Sequence, residues 1–228
     1  MLGSLLALGL LLGLKHAVEA DHLSTVATLA SRSSSTRQTV GVATAWGLGH
    51  ASSLVALGTL LVALGATLPP PVARAFELLV GLILIALGVG VLMRLREKRI
   101  HLHVHEHGGT RHLHAHAHEL PDAVRHDHLH GSPLWRRSLL IGGVHGLAGS
   151  AAVTVLALPA GSFGLALAYL LVFGGGTVLG MVALTLVVSL PMKFSFQRNQ
   201  GFWIALQCAL AVIDLSLGAW IVVQSSPL

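Results

Sequence analysis

The sequence predicts an all-α polytopic membrane protein with six transmembrane helices arranged as two inverted three-helix repeats. Three observations carry that expectation. The 228-residue chain is 54% hydrophobic and only 10% charged, whereas a soluble domain carries about a quarter charged residues. Six apolar stretches reach the roughly 20 residues that a helix needs to cross a bilayer. The two halves of the chain also repeat glycine, histidine and threonine at corresponding positions.

Taken in order, the spans are expected at about 2–30, 38–66, 73–94, 137–159, 162–190 and 201–224. No basic segment precedes the first run, so it reads as a transmembrane helix and not as a cleaved signal. The separators are Ser31 to Arg37, the Pro69-Pro70-Pro71 turn, the polar stretch 95–136, the bend from Pro159 to Ser162, and Lys193 to Gln200. Spans one, two and five are longer than a straight perpendicular helix requires, and tilt or a broken helix would absorb the excess. Gly174-Gly175-Gly176 predicts such a break in span five.

Charge orients the chain. Of 14 Lys and Arg residues, 12 fall in loops 31–37, 94–137 and 191–200, and only Arg74 lies on the opposite side. The positive-inside rule makes those three loops cytoplasmic and puts both termini outside an inner (plasma) membrane. A net charge of +5 raises nucleic acid as a partner, but no basic face is interleaved with stacking aromatics, so none is expected. Cys208 is the one cysteine, which excludes an internal disulfide and a two-cysteine redox relay.

The repeat pairs residues 1–94 with 137–228 around the loop 95–136. Gly13-Leu14-Lys15-His16 lines up with Gly142-Gly143-Val144-His145, and Thr25-Val26 with Thr154-Val155. Gly47-Leu48-Gly49-His50 likewise matches Gly174-Gly175-Gly176-Thr177, and Gly88 falls on Gly218. An odd number of spans per unit inserts the halves in opposite orientations, which places a substrate site near the midplane in many transporters.

The chemistry sits in span one, where residues 16 to 22 read His-Ala-Val-Glu-Ala-Asp-His. Ionisable groups at membrane depth cost about 2.5 kcal/mol or more each and mark function by default. Imidazole with carboxylate suits borderline divalent metals such as nickel, cobalt and zinc. On a regular helix Lys15, His16, Glu19 and His22 share one sector while Asp21 points away. Either the helix unwinds between Ala17 and Ala20, or Asp21 serves another partner. Glu19 could bind the metal or pair with Lys15 at i,i+4. His50 in span two and His145 in span four supply further imidazoles at similar depth, with a helix-to-helix hydrogen bond as the plainer role for each. The candidate metal ligands are therefore His16, Glu19, Asp21, His22, His50 and His145. Glu77 and Asp214 are expected to act as polar glue or along an entry path.

His-x4-Asp-His within a transmembrane segment, here His16, Asp21 and His22, resembles the signature of the nickel/cobalt permease (NiCoT) family. Leu48-Gly49-His50-Ala51-Ser52 resembles that family's second motif. The length and six-span layout are similar to its short urease-accessory-type members. The resemblance implies transport of nickel or cobalt, with uptake favoured over efflux, through a site in the first two spans.

Between His101 and His130 lie 11 of the 15 histidines, mostly alternating with other residues. Glycines, charges and Pro121 interrupt any packing pattern, so no fixed fold is expected. Imidazoles in such a chain chelate Ni²⁺, Co²⁺, Cu²⁺ or Zn²⁺ with little selectivity, and hold them less well as they protonate below about pH 6.5.

The sequence thus points to a divalent-cation transporter with Ni²⁺ or Co²⁺, or else Zn²⁺, as substrate, no permanently bound cofactor, and no enzymatic activity. Its partners are the metal ion and the lipid bilayer. An intramembrane zinc hydrolase lacks support because no His-Glu-x-x-His pair occurs. A membrane metallochaperone docking a soluble nickel-enzyme maturation factor through loop 95–136 is the alternative.

Overall fold

The computed structural model describes residues 2–33, 35–97, 100–107, 110–117, 133–157, 161–198 and 200–226. The helices are α1 (Leu2–His16), α2 (Ala20–Ala30), α3 (Thr36–Ala63), α4 (Pro70–Glu97), α5 (Leu134–Ala157), α6 (Phe163–Arg198) and α7 (Gln200–Ser225). Among the described residues five helices are long and apolar enough to cross a membrane, and α1 with α2, bent by 59° at the break between them, makes six where the pair is counted as one span. The protein is a multi-pass membrane protein.

Local chemistry sets several boundaries. Ser35 caps α3 by accepting the Gln38 amide at 3.2 Å, which satisfies one of the donors left open at a helix start. α3 closes on Gly65 at φ +59°, with the Ala66 amide donating to Leu61 O and that of Gly65 to Val62 O. Only glycine adopts this left-handed turn without strain. Proline tolerates the first helical position because it has no amide to satisfy there, and α4 starts at Pro70.

The bend between α1 and α2 is a tight turn. Val18 and Glu19 donate to Lys15 O and His16 O, three residues back, and Leu23 then donates to Glu19 O to start the next helix. Glu19 has extended backbone at ψ 152°, which no helix continues through.

Glycines set how closely the long helices approach. A Cβ on Gly142 would stand 2.9 Å from the Trp46 carbonyl carbon, and one on Gly49 equally close to that of Leu139, so α3 and α5 are in backbone contact. α1 meets α6 in the same way, through Gly13 against Phe173 and Gly176 against Leu10 O. α4 meets α7 at Gly81 and Gly218, each of which would drive a Cβ into the other's carbonyl oxygen, at 2.9 and 2.7 Å. Small residues serve this purpose in membranes, where association depends on close packing. Two apolar clusters fill the interior. Ala17, Val26, Leu29, Val42, Trp46, Leu87 and Met181 form one, and Leu54, Val153, Ala157, Ala166, Tyr169, Leu170 and Phe173 the other.

Three expectations need correction. α6 is unbroken through Gly174-Gly175-Gly176. Gly174 packs on Ala51 and Val55 of α3, and Gly176 on Leu10 of α1, so these glycines are used for contact and not for a hinge. α6 also continues to Arg198, through most of the separator expected from Lys193. In the loop expected to lack a fixed fold, β1 (Ile100–His107) and β2 (Thr110–Ala117) pair antiparallel, with His101 opposite His116, His103 opposite His114 and His105 opposite His112. The alternation of His with Leu, Val and Ala has the two-residue period of a strand, and it outweighed the polar composition. Lys98, Arg99, His118, Pro121, Arg125, His126, His128, His130 and Pro159 lie outside the described residues.

Candidate metal centre

The bend resolves the geometric conflict in span one. A straight helix would turn Asp21 away from His16 and His22, but the turn at residues 17–19 redirects the chain by 59°. Asp21 and His22 now open α2 beside His16, the last residue of α1. α3 brings His50, which stands at position 15 of its 28 residues. His16 Nε2 lies 3.1 Å from His50 Nε2. The His16 ring centroid is 4.6 Å from that of His22 and 5.1 Å from that of His50, and His22 is 4.9 Å from His50. One nitrogen from each of the three fits within a 4.8 Å set. His22 and His50 are buried.

These separations suit one ion. Two imidazole nitrogens about 2.0–2.1 Å from a divalent ion and 90–110° apart stand roughly 2.8–3.4 Å from each other, which includes the His16–His50 distance.

The second nitrogen of each ring fixes its role. His22 Nδ1 faces Asp21 Oδ1 at 3.1 Å and His16 Nδ1 faces Glu19 Oε2 at 3.0 Å. A carboxylate only accepts, so both Nδ1 atoms donate and both Nε2 lone pairs remain for a metal. Carboxylate partners behind ligating histidines orient the ring and raise its basicity. His50 Nε2–H then donates to His16, and its own Nδ1 is enclosed without a partner. His22 Nε2 is enclosed and unpartnered as well. A buried imidazole nitrogen with no partner costs about 1–3 kcal/mol; a cation held on the three Nε2 atoms would relieve that cost at His22, in exchange for the His50–His16 hydrogen bond.

His145 stands at the border. Its Nδ1 donates to the Ile141 carbonyl at 3.2 Å, its Nε2 has no partner, and its ring lies 5.8 Å from that of His22. It falls outside the three-histidine set. Glu19, Asp21 and His22 form an overlapping set of their own. Among the described residues Glu19 pairs with His16 and not with Lys15, because the broken helix removes the i,i+4 geometry. Asp214 is absent from both candidate sets and accepts from Ser24 Oγ and, at 2.6 Å, from Thr28 Oγ1 of α2. Glu77 accepts from Ser225 at 3.2 Å.

A cavity of about 460 Å³ leads from this site to the end of the bundle where α4 begins and α7 ends, lined by His16, Glu19, Asp21, His22, Glu77, His145, Trp220 and Gln224. Three further residues shape the site without any signal from the ionisable pattern. Trp46 lies one turn before His50 with its ring 5.4 Å from His22 and 5.8 Å from His145. The Phe173 ring is 5.6 Å from His16. A Cβ on Gly149 would come within 3.2 Å of His16 Nε2, so its glycine keeps the metal face open. The i−4 spacing from His50 was the available clue for Trp46; Phe173 and Gly149 come from distant helices.

No family model and no solved structure matches the chain. The urease accessory protein UreH of Bacillus sp. (strain TB-90) is 34% identical to it over 196 residues, which is 86% of this chain and 80% of that relative. With such identity across most of both sequences, this multi-pass membrane protein belongs to the family of the urease accessory protein UreH.

Proposed function

We propose that the protein carries a nickel- or cobalt-class divalent ion across the membrane, inward, through a transient site of His16, His22 and His50 with Asp21 and Glu19 behind the rings. The observation that carries this reading is the convergence of the three imidazoles at a helix break halfway along a span. Non-helical backbone at membrane depth is tolerated where it lines a cavity. The cavity runs to the end opposite Arg94 and Arg96, which the positive-inside rule places outside, and that favours uptake. The relative's name, urease accessory protein, fits nickel as cargo and a non-catalytic role.

An inverted repeat draws support from the packing pairs. Exchanging the halves maps α1 on α6 onto α5 on α3, and α4 on α7 onto itself. The contacts follow suit: Gly13 against Phe173 corresponds to Gly142 against Trp46, and Gly176 against Leu10 to Gly49 against Leu139.

The test is ⁶³Ni²⁺ flux into right-side-out vesicles at a set membrane potential, with wild type, His16→Ala and Asp21→Asn. At Ni²⁺ concentrations near the wild-type half-saturation, inward flux is expected to fall away in both variants. Flux confined to inverted vesicles would make the protein an exporter. No flux in either orientation, with metal still held by the loop, would favour a metallochaperone that passes nickel to a soluble maturation factor. The relatedness to a urease accessory protein is the observation behind that second reading.

A further inference from the structure

Residues two apart on a β-strand share a face, because successive positions alternate between the two sides. His101, His103, His105 and His107 therefore occupy one face of β1, and His112, His114 and His116 one face of β2. Antiparallel pairing joins the two sets into a single face. His101 lies opposite His116, His103 opposite His114 and His105 opposite His112, while His107 lies opposite Thr110. This coincidence depends on the register. A slip of one residue would set His101, His103 and His105 against Ala, Leu or Arg residues instead. Only Gly108-Gly109 separate the strands in the sequence, and so short a connection fixes register.

Directly opposed residues of an antiparallel pair have Cβ atoms about 4.5–5.5 Å apart. Two imidazoles based at that separation can share one divalent ion, which takes nitrogen ligands at about 2.0–2.1 Å. Positions two apart along a strand are about 6.8 Å from each other, so each histidine stands nearer to its cross-strand partner than to the next pair. The other face reads Ile100, Leu102 and Val104 opposite Ala117, Ala115 and Leu113, with Glu106 opposite Arg111 near the connection. One face is thus histidine and the other mainly apolar. A two-stranded hairpin alone is marginal in water, and an ion shared across each pair would contribute to holding the strands together, since metal binding counts toward folding. β1 lies beside α4 and β2 beside α7. The histidine face therefore belongs to the end of the bundle that carries Arg94 and Arg96, which the positive-inside rule makes cytoplasmic.

We propose that the hairpin binds divalent transition-metal ions as a ladder of three rungs, one ion on each of the cross-strand pairs His101–His116, His103–His114 and His105–His112. Two imidazoles per ion leave the other coordination positions to water, a set that suits Ni²⁺, Cu²⁺ and Zn²⁺. This differs from chelation by an unpatterned chain, because the number of ions and the residues that share each one follow from the register. The ladder stands apart from the transport reading and holds whichever way ions cross the membrane.

The test compares two double variants that remove equal numbers of histidines. His101→Ala with His116→Ala deletes one rung, whereas His101→Ala with His112→Ala breaks two. Ni²⁺ bound per full-length chain in neutral detergent is read by equilibrium dialysis at pH 7.5, where imidazole is mostly neutral. All other metal-binding residues are common to the three chains, so the differences report the hairpin. The first variant should hold one ion fewer than wild type and the second two fewer. Equal losses from the two variants overturn the proposal, since unpaired chelation counts histidines and not partners; so does the absence of any loss. Repeating the comparison in a His16→Ala background should leave these differences unchanged, which separates failure of the ladder from failure of the transport reading. In wild type, Ni²⁺ should also slow tryptic cleavage after Arg111, which lies within β2, relative to a histidine-free substrate. Cleavage at an unaltered rate overturns the proposal whether or not the variants fold.

Discussion

Substituting Gly146 tests whether helix packing, and not only the ligand residues, sets the metal site. Gly146 on α5 faces the backbone of His50 on α3, and a Cβ there would stand 2.9 Å from the His50 carbonyl carbon, with the oxygen nearer still. Ordinary van der Waals contact begins at 3.4 Å, so Gly146→Ala must part the helices by at least 3.4 − 2.9 = 0.5 Å at this point. Metal–ligand distances tolerate about 0.2 Å. His50 would therefore leave the reach of an ion held by His16 and His22. The expected loss is about ten- to a hundredfold in affinity, comparable to losing a positioning group. Overpacking costs about 1–3 kcal/mol and alanine's helix preference returns up to about 1 kcal/mol, so the variant should remain folded. The assay is the half-saturating Ni²⁺ concentration for vesicle flux, with size-exclusion profile and unfolding temperature as folding controls. Gly175→Ala, whose Cβ would meet nothing within 4 Å, should behave as wild type. Unchanged half-saturation in folded Gly146→Ala would refute the reasoning.

Asp21→Asn should weaken Ni²⁺ half-saturation about ten- to a hundredfold, because the amide no longer holds His22 Nδ1–H as a charge does; an unaltered value would show that the Asp21–His22 contact has no part in binding. Ser24→Ala with Thr28→Val strips Asp214 of both hydroxyl donors and should cost about 1–3 kcal/mol per donor, read as a drop of several degrees in unfolding temperature; Asp214→Leu on that background should recover part of it, and further destabilisation would count against a purely structural carboxylate. Removing residues 101–130 should lower the number of Ni²⁺ ions bound per chain while preserving flux. In the intact chain the loop-bound ions should be released between pH 7.5 and pH 5.5, since imidazole binds metal only when neutral; equilibrium dialysis at the two pH values reads this, and retention at pH 5.5 would contradict imidazole ligation.

What the sequence made legible followed from one-dimensional rules. Apolar length located every candidate span to within a few residues, and the angular conflict between Asp21 and the histidines left either a break between Ala17 and Ala20 or another partner for Asp21, of which the turn at residues 17–19 is the first. Composition misled where a two-residue period competed with it: His101 to His107 alternates with apolar residues, and Gly108-Gly109 between the strands is itself a hairpin signal. The triple glycine misled for another reason. Glycine serves both hinges and close contacts, and only the neighbouring helix, here α1 and α3 against α6, decides between them. Phe173 and Gly149 were invisible because nothing in α5 or α6 by itself announces proximity to His16.

The same alignment that pairs the two halves also shows why the three-histidine set lies in only one of them. His16 corresponds to His145, but Asp21 and His22 correspond to Ser150 and Ala151, and His50 to Thr177. α5 accordingly passes unbroken through the equivalent of the turn. The break in the first half brings two helix ends of opposite sign to the site: the C-terminal end of α1 favours a cation, whereas the N-terminal end of α2 disfavours one. Asp21, in the first turn of α2, offsets that second end. A site built from imidazoles, flanked by opposed dipole ends and open to a cavity, suits the proposed transport, which needs a divalent ion held strongly enough to strip part of its hydration and weakly enough to release it. Filling both halves with ligands would deepen the well and slow release, so the asymmetry between the two halves fits the proposed transport better than it fits storage.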